Sequence, residues 1–264
     1  MTIPGFDFPC GLAVTNSRST LAYSGEVERP FALASVTKLL TSWAIAVAVS
    51  QAKVTYDDPA GPPGATLRHL LSHASGLDFA SDQIVNEVGT RRVYSNRGIE
   101  VAAEYVAQKI GLSISEMLSS LVAKPLGMET WSIEGSPAYA GVASVLDLLK
   151  FAREVLEPKL ISSNLRDEIL CPQFPELAGI VPGYGLQRPN LWGLGFEIRG
   201  QKSPHWTAPG AALEVSGHFG QSGSFLWVDC ALGLGAVFAG GEKFGAVHKE
   251  KWPQINQQIL NQFS

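Results

Sequence analysis

A chain of 264 residues with 45% hydrophobic and 17% charged side chains can bury a sizeable core and is not disordered. Its formal net charge of −4 gives no electrostatic reason to expect a nucleic acid or an anionic membrane as partner. The only basic clusters, Arg91-Arg92 and Lys249-Glu250-Lys251, read as solvated surface. Cys10, Cys171 and Cys230 are odd in number, far apart and without metal-ligand spacing. Cys10 and Cys230 lie in apolar, strand-like runs and are expected to be buried thiols.

Taken in chain order, the N-terminus has no basic region and no long apolar run, which predicts a cytoplasmic location for the chain as given. Two short strands follow at 10–15 and 19–24, separated by Asn16-Ser17-Arg18 in a hairpin-like opening. Next comes a helix that is apolar nearly all round from Leu39 to Val49, hence buried on every side and too short to span a bilayer. From 56 to 188 the pattern is helical with long connections, including an amphipathic helix at 98–110. After it come strands at 212–216, 224–230 and 232–239, a hairpin turn at 229–233, and a helix from Pro253 to Phe263. The expected architecture is an antiparallel sheet built from both chain ends (1–55 and 189–264), flanked by helices, with the mainly helical 56–188 inserted.

The most informative pair is Ser35 and Lys38, at the start of the apolar helix. Spacing of three on a helix puts both side chains on one face, where the amine can take the hydroxyl proton. Serine is a poor nucleophile until a base does this, so the pair suits acyl transfer. The helix start also supplies free N–H groups for an oxyanion, and its positive end should lower the Lys38 pKa. Ser50 and Lys53 repeat the spacing at the other end of the helix, where a cation is comfortable and needs no function.

Tyr94-Ser95-Asn96 lies in a polar stretch before the amphipathic helix, and His218-Phe219-Gly220 lies between two C-terminal strands. The order Ser-x-x-Lys, Tyr-Ser-Asn, then basic-x-Gly resembles that of the penicillin-recognising serine hydrolases: class C β-lactamases, D-alanyl-D-alanine carboxypeptidases and related esterases. The stretch from Thr66 to Leu77, with Leu71-Ser72-His73-Ala74-Ser75-Gly76, resembles their helix-and-turn after the nucleophile helix. Lys124-Pro125-Leu126-Gly127-Met128 resembles a later turn, and Val142 to Ala152 the helix after it. The likeness runs from about Leu12 to the C-terminus.

That resemblance implies the mixed α/β (α+β) β-lactamase/transpeptidase-like fold and a serine hydrolase working through an acyl-serine intermediate, without cofactor or metal. Ser35 would be the nucleophile, Lys38 its base or electrostatic partner, and Tyr94 the proton shuttle. Asn96 would bind the substrate's amide or ester flank, and the backbone N–H groups of Ser35 and Gln221 would form the oxyanion hole. Gly220 would keep the substrate's path clear. The partner implied is a small-molecule or peptide substrate, with no nucleic acid and no membrane. His69 and His73 match structural positions of the family, and His205 and His248 read as surface.

The chain departs from the resistance enzymes at the third motif, where Lys-Thr-Gly is usual and holds the substrate carboxylate. Here His218 and Phe219 stand in place of Lys and Thr. An unperturbed imidazole is mostly neutral at pH 7, and Phe219 offers no donor. Hydrolysis of an ester or amide without a free carboxylate is therefore expected ahead of β-lactamase or D-alanyl peptidase activity. A non-catalytic ligand-binding protein is the reading from another class. If His218 faced the substrate unperturbed, its titration between pH 5.5 and 7.5 would tune carboxylate binding.

Overall fold

The computed structural model describes residues 5–264. The chain begins with the hairpin of β1 (Cys10–Asn16) and β2 (Thr20–Gly25), then β3 (Pro30–Ala32). A single 3-10 turn, Ala34–Val36, leads into α1 (Thr37–Ser50). Next come α2 (Leu67–Leu71), α3 (Asn96–Ile110), α4 (Ile114–Leu118), β4 (Ser132–Ile133) and β5 (Gly141–Ser144). After these lie α5 (Val145–Leu156), α6 (Ser163–Leu170), β6 (Gly179–Val181) and β7 (Gly185–Gln187). The C-terminal part supplies β8 (Glu197–Ile198), β9 (Ser216–Gly220), β10 (Ser224–Asp229), β11 (Leu234–Gly240) and α7 (Ala246–Phe263).

Six strands form one antiparallel sheet in the order β2-β1-β11-β10-β9-β8, so the two chain ends meet where β1 pairs β11. Apart from the edge strand β2, which is largely exposed, the sheet is buried on both faces, and side-chain alternation assigns each strand residue to one core. Leu12, Val14, Phe225, Trp227, Ala236 and Phe238 pack with Trp252, Ile255 and Ile259 of α7. Their neighbours Ala13, Leu226, Val228, Val237 and Ala239 pack instead with α5 and the buried α1. Every residue of α1 from Thr37 to Ala48 is buried, as its nearly all-round apolar pattern requires.

Several boundaries differ from those expected. The strand placed at 212–216 begins only at Ser216 and carries the His218 motif itself, because β10 pairs it through Gly220. The segment 142–152 is β5 and then α5, divided at Ser144, whose hydroxyl caps α5 by accepting the Asp147 N–H. The last helix starts at Ala246 rather than Pro253, with His248 Nδ1 taking the Gly245 N–H at its start. The inserted region also holds two small sheets, β3-β5-β4 and β6-β7, the first borrowing β3 from the N-terminal segment.

Some residues expected at the surface are core, and the reverse. Arg92 is buried and its guanidinium donates to the carbonyls of Ser72, Gln173, Phe174 and Asn190 at 2.6–3.0 Å. His205 and His248 are buried too. Cys230 is exposed because β10 stops at Asp229, and Cys10 is half-buried.

Gly195 marks the point where the C-terminal part locks onto α1 and α2. Its N–H donates to Leu71 O at 2.9 Å, its φ is +81°, and a Cβ there would land on Ser42 Oγ. Gly195→Ala combines left-handed strain with overpacking and should destabilise the fold by about 2–4 kcal/mol. Urea denaturation checks this: the midpoint should fall well below that of the unaltered protein.

Candidate active site

The nucleophile turn is held from three sides. Leu33 N–H donates to Gly141 O at 2.9 Å, and Ser224 Oγ donates to Leu33 O at 2.7 Å. Ala34 sits at φ +44°, a left-handed conformation that costs an L-residue about 1–2 kcal/mol and turns Ser35 outward to the cleft. Ser35 thus lies in the 3-10 turn, two residues before α1 begins, and Lys38 is the second residue of α1. A Cβ at Gly220 would strike Leu33 O and Ser224 Oγ. Gly220 is therefore needed for packing β9 against the nucleophile turn.

Lys38 is fully buried and its Nζ donates to Asn96 Oδ1 at 2.7 Å, Ala138 O at 2.8 Å and Ser35 Oγ at 3.2 Å. Burial, not the helix end, is the main force that lowers its pKa to about 7, against the opposing pull of Glu100. The neutral amine is then well populated near neutral pH. With its remaining two hydrogens on Asn96 and Ala138, its lone pair can receive the Ser35 proton.

Tyr94 O–H donates to Ser35 Oγ at 2.7 Å, with the Lys38 ammonium 4.9 Å from the ring centroid. Burial pushes the phenol above its usual pKa, so Tyr94 rests as a phenol rather than a phenolate. Its loop is fastened by His73: the Ser95 N–H donates to His73 Nδ1 at 3.1 Å, and Val93 N–H donates to His73 O at 2.9 Å. Ser95 caps α3 by accepting the Gly98 N–H, which makes Asn96 the first helical residue. Phe79 and Trp192 flank the Tyr94 ring at 6.1 Å and 5.8 Å between centroids.

His218 does not offer a titrating cation. It is buried, its Nδ1 donates to Phe219 O at 2.6 Å, and its Nε2 lies 3.3 Å from Tyr94 Oη. Burial first, then the Lys38 charge, lower its pKa to about 3. The imidazole therefore stays neutral from pH 5.5 to 7.5, and the expected tuning of carboxylate binding in that window is lost. With Nδ1 donating, Nε2 is an acceptor facing the tyrosine hydroxyl. β8 pairs only Ser216 and Gly217 of β9, which leaves His218 to Gly220 unpaired on the cleft side.

These groups line one cleft of about 690 Å³, together with Asn96 and Gln221. Ser35, Tyr94, Asn96, His218 and Gln221 line it, Lys38 lies buried beneath, bonded to Ser35 and Asn96, and Gly220 packs behind against Leu33 and Ala34; Ser50 lies at the far end of α1. Sequence reasoning missed Glu100, Glu197, Phe79 and Trp192 in the lining. Glu100 was findable, one turn beyond Asn96 on α3 and so on the same face. Glu197 is buried; burial raises its pKa, but Lys202 and His205 outweigh that and hold it ionised. Among the described residues, no group of three His, Cys, Asp or Glu side chains could hold a metal, and no helix is long and apolar enough to cross a membrane.

Comparison with known proteins bears on the fold and the family. A curated protein of Alkalihalophilus pseudofirmus, itself uncharacterised, is 29% identical over 117 residues, 40% of this chain and 35% of its own length. The chain thus spans about a third of that relative. The crystal structure of a β-lactamase from Mycobacterium bovis is 44% identical, with a TM-score of 0.95 over 97% of this chain and 95% of that one. A hydrolase with promiscuous acyltransferase activity shares the fold at 15% identity and TM-score 0.77, covering 94% of this chain and 93% of that one. The β-lactamase family model matches residues 12–258, nearly the whole chain, and the protein belongs to the β-lactamase family of serine hydrolase folds.

Proposed function

We propose that the protein is a serine esterase that acylates Ser35 with esters, or amides, lacking a free carboxylate beside the scissile bond. The observation that carries this reading is the pairing of an assembled Lys38–Ser35–Tyr94 array with a neutral, buried His218 at the carboxylate-reading position.

Neutral Lys38 takes the Ser35 proton as Oγ attacks the carbonyl carbon. The backbone N–H groups of Ser35 and Gln221 hold the oxyanion, stabilising charge only as it develops. Tyr94 passes its proton to the departing alkoxide and is reprotonated from Lys38. Water then attacks the acyl-enzyme by the reverse relay, releasing the acid and restoring Ser35.

The second reading is β-lactam hydrolysis, favoured by the 44% identity to the Mycobacterium bovis β-lactamase. Intact-protein mass after exposure to a penicillin, a short-chain aryl ester and a fluorophosphonate separates the two. Rapid ester turnover with little penicillin adduct supports the esterase; rapid penicillin turnover supports the lactamase. No adduct with any probe would favour a non-catalytic binder.

Ser35→Ala should abolish every adduct while Ser50→Ala leaves labelling intact, as fluorophosphonate mass shifts would report. Tyr94→Phe removes the relay hydroxyl and should lower kcat for a short-chain ester by roughly 100- to 10,000-fold with folding preserved. A steady-state assay beside a melting curve measures both.

Activity should rise with pH through a midpoint near 7, because neutral Lys38 is the working form. Glu100 stabilises the ammonium, so Glu100→Gln should move that midpoint to lower pH. A kcat/KM profile from pH 5 to 9 tests the sign; an upward shift would remove Lys38 as the base.

A further inference from the structure

A second groove of about 320 Å³ adjoins the cleft, and the two share Phe79, Tyr94 and Pro182 as common walls. Beyond those walls the groove is lined by Val93 and Ile180, with Arg91 among its polar neighbours. Phe79 is 50% exposed and Ile180 is 56% exposed, so the lip is an apolar surface open to solvent beside the nucleophile.

The lip is also firmly built. Phe79 O accepts the N–H groups of Asn96 and Arg97 at 2.8 Å and 3.2 Å, which ties it to the start of α3. On the other side, Arg92 N–H donates to Ala178 O at 3.0 Å, and a Cβ at Gly179 would strike Arg92 O. β6 is therefore clamped against the strand of chain that carries Tyr94, and Ile180 is fixed beside it.

We propose that this groove is the subsite for the apolar alcohol portion of the substrate ester; the inference rests on the esterase reading. Tyr94 is the proton donor for the departing alkoxide, so the alcohol oxygen must come within reach of its hydroxyl. The carbon body behind that oxygen then lies along the Tyr94 wall, and that wall leads past Phe79 and Pro182 to Ile180. By microscopic reversibility the same subsite receives an alcohol as acyl acceptor. In that step the acceptor O–H loses its proton to the Tyr94 relay, and its oxygen bonds to the acyl carbon. The Ser35 Oγ–acyl bond breaks, and Oγ regains a proton through Tyr94 and Lys38. One ester and one alcohol give a new ester, with no oxidant or cofactor.

The experiment uses p-nitrophenyl acetate as donor with methanol, 1-butanol or 1-hexanol at equal concentration, and reads the ratio of acetate ester to acetic acid formed. The ratio should rise at least several-fold from methanol to 1-hexanol, since each added methylene leaves water on entering the groove. Ile180→Asp should flatten that dependence, with a melting curve like that of the unaltered protein showing that the fold is kept. A ratio that is independent of chain length, or a chain-length preference unchanged in Ile180→Asp, would overturn the subsite while leaving the esterase reading standing. No p-nitrophenol release by the unaltered protein would overturn the esterase reading and this inference with it.

Discussion

The buried ammonium of Lys38 is the interaction on which the site depends. A lysine wholly removed from water is destabilising unless each of its hydrogens finds an acceptor, and here the three acceptors come from three parts of the chain. Ser35 belongs to the nucleophile turn, Asn96 to the start of α3, and Ala138 to the segment before β5. Satisfying one side chain therefore fixes how the sheet side and the inserted region meet. The folded pKa lies near 7 and the unfolded value near 10.5, so the burial penalty is full below about pH 7 and fades as pH rises between the two.

A second constraint holds the tyrosine. His73 accepts the Ser95 amide and, through its own carbonyl, the Val93 amide, so both neighbours of Tyr94 are pinned by one residue. Arg92 adds four bonds to carbonyls from three separate segments just before the same tyrosine. An arginine spent wholly on backbone acceptors is acting as a strut. The phenol at its end can be neutral and still useful, because a relay needs a proton to give and a route to recover it.

His218 shows how context changes a side chain's chemistry. In water its imidazole would titrate near neutrality, but here it is buried, with a carbonyl on one nitrogen and the Lys38 charge nearby. It has become a neutral hydrogen-bonding wall facing Tyr94. A cleft so furnished favours uncharged substrates through what it withholds as much as through what it offers.

Much of this was legible in the chain itself. The alternation of Leu12, Ala13 and Val14, the nearly all-round apolar run of α1, and the ordered spacing of Ser35-x-x-Lys38, Tyr94-x-Asn96 and His218-x-Gly220 are local patterns, and local patterns survive without a fold. They were enough for the sheet of both chain ends, for the family, and for the residues gathered in and just behind the cleft. Burial was not legible, because it depends on what packs from elsewhere. Arg92, His205 and His248 look like surface in sequence and are core in space; Cys230 looks like core and is exposed. The extension of α7 back to Ala246 and the start of β9 at Ser216 likewise follow from long-range partners. The same holds for chemistry: sequence named the lysine, the tyrosine and the histidine, but only tertiary structure set their protonation, since a pKa is decided by desolvation and by neighbours far along the chain.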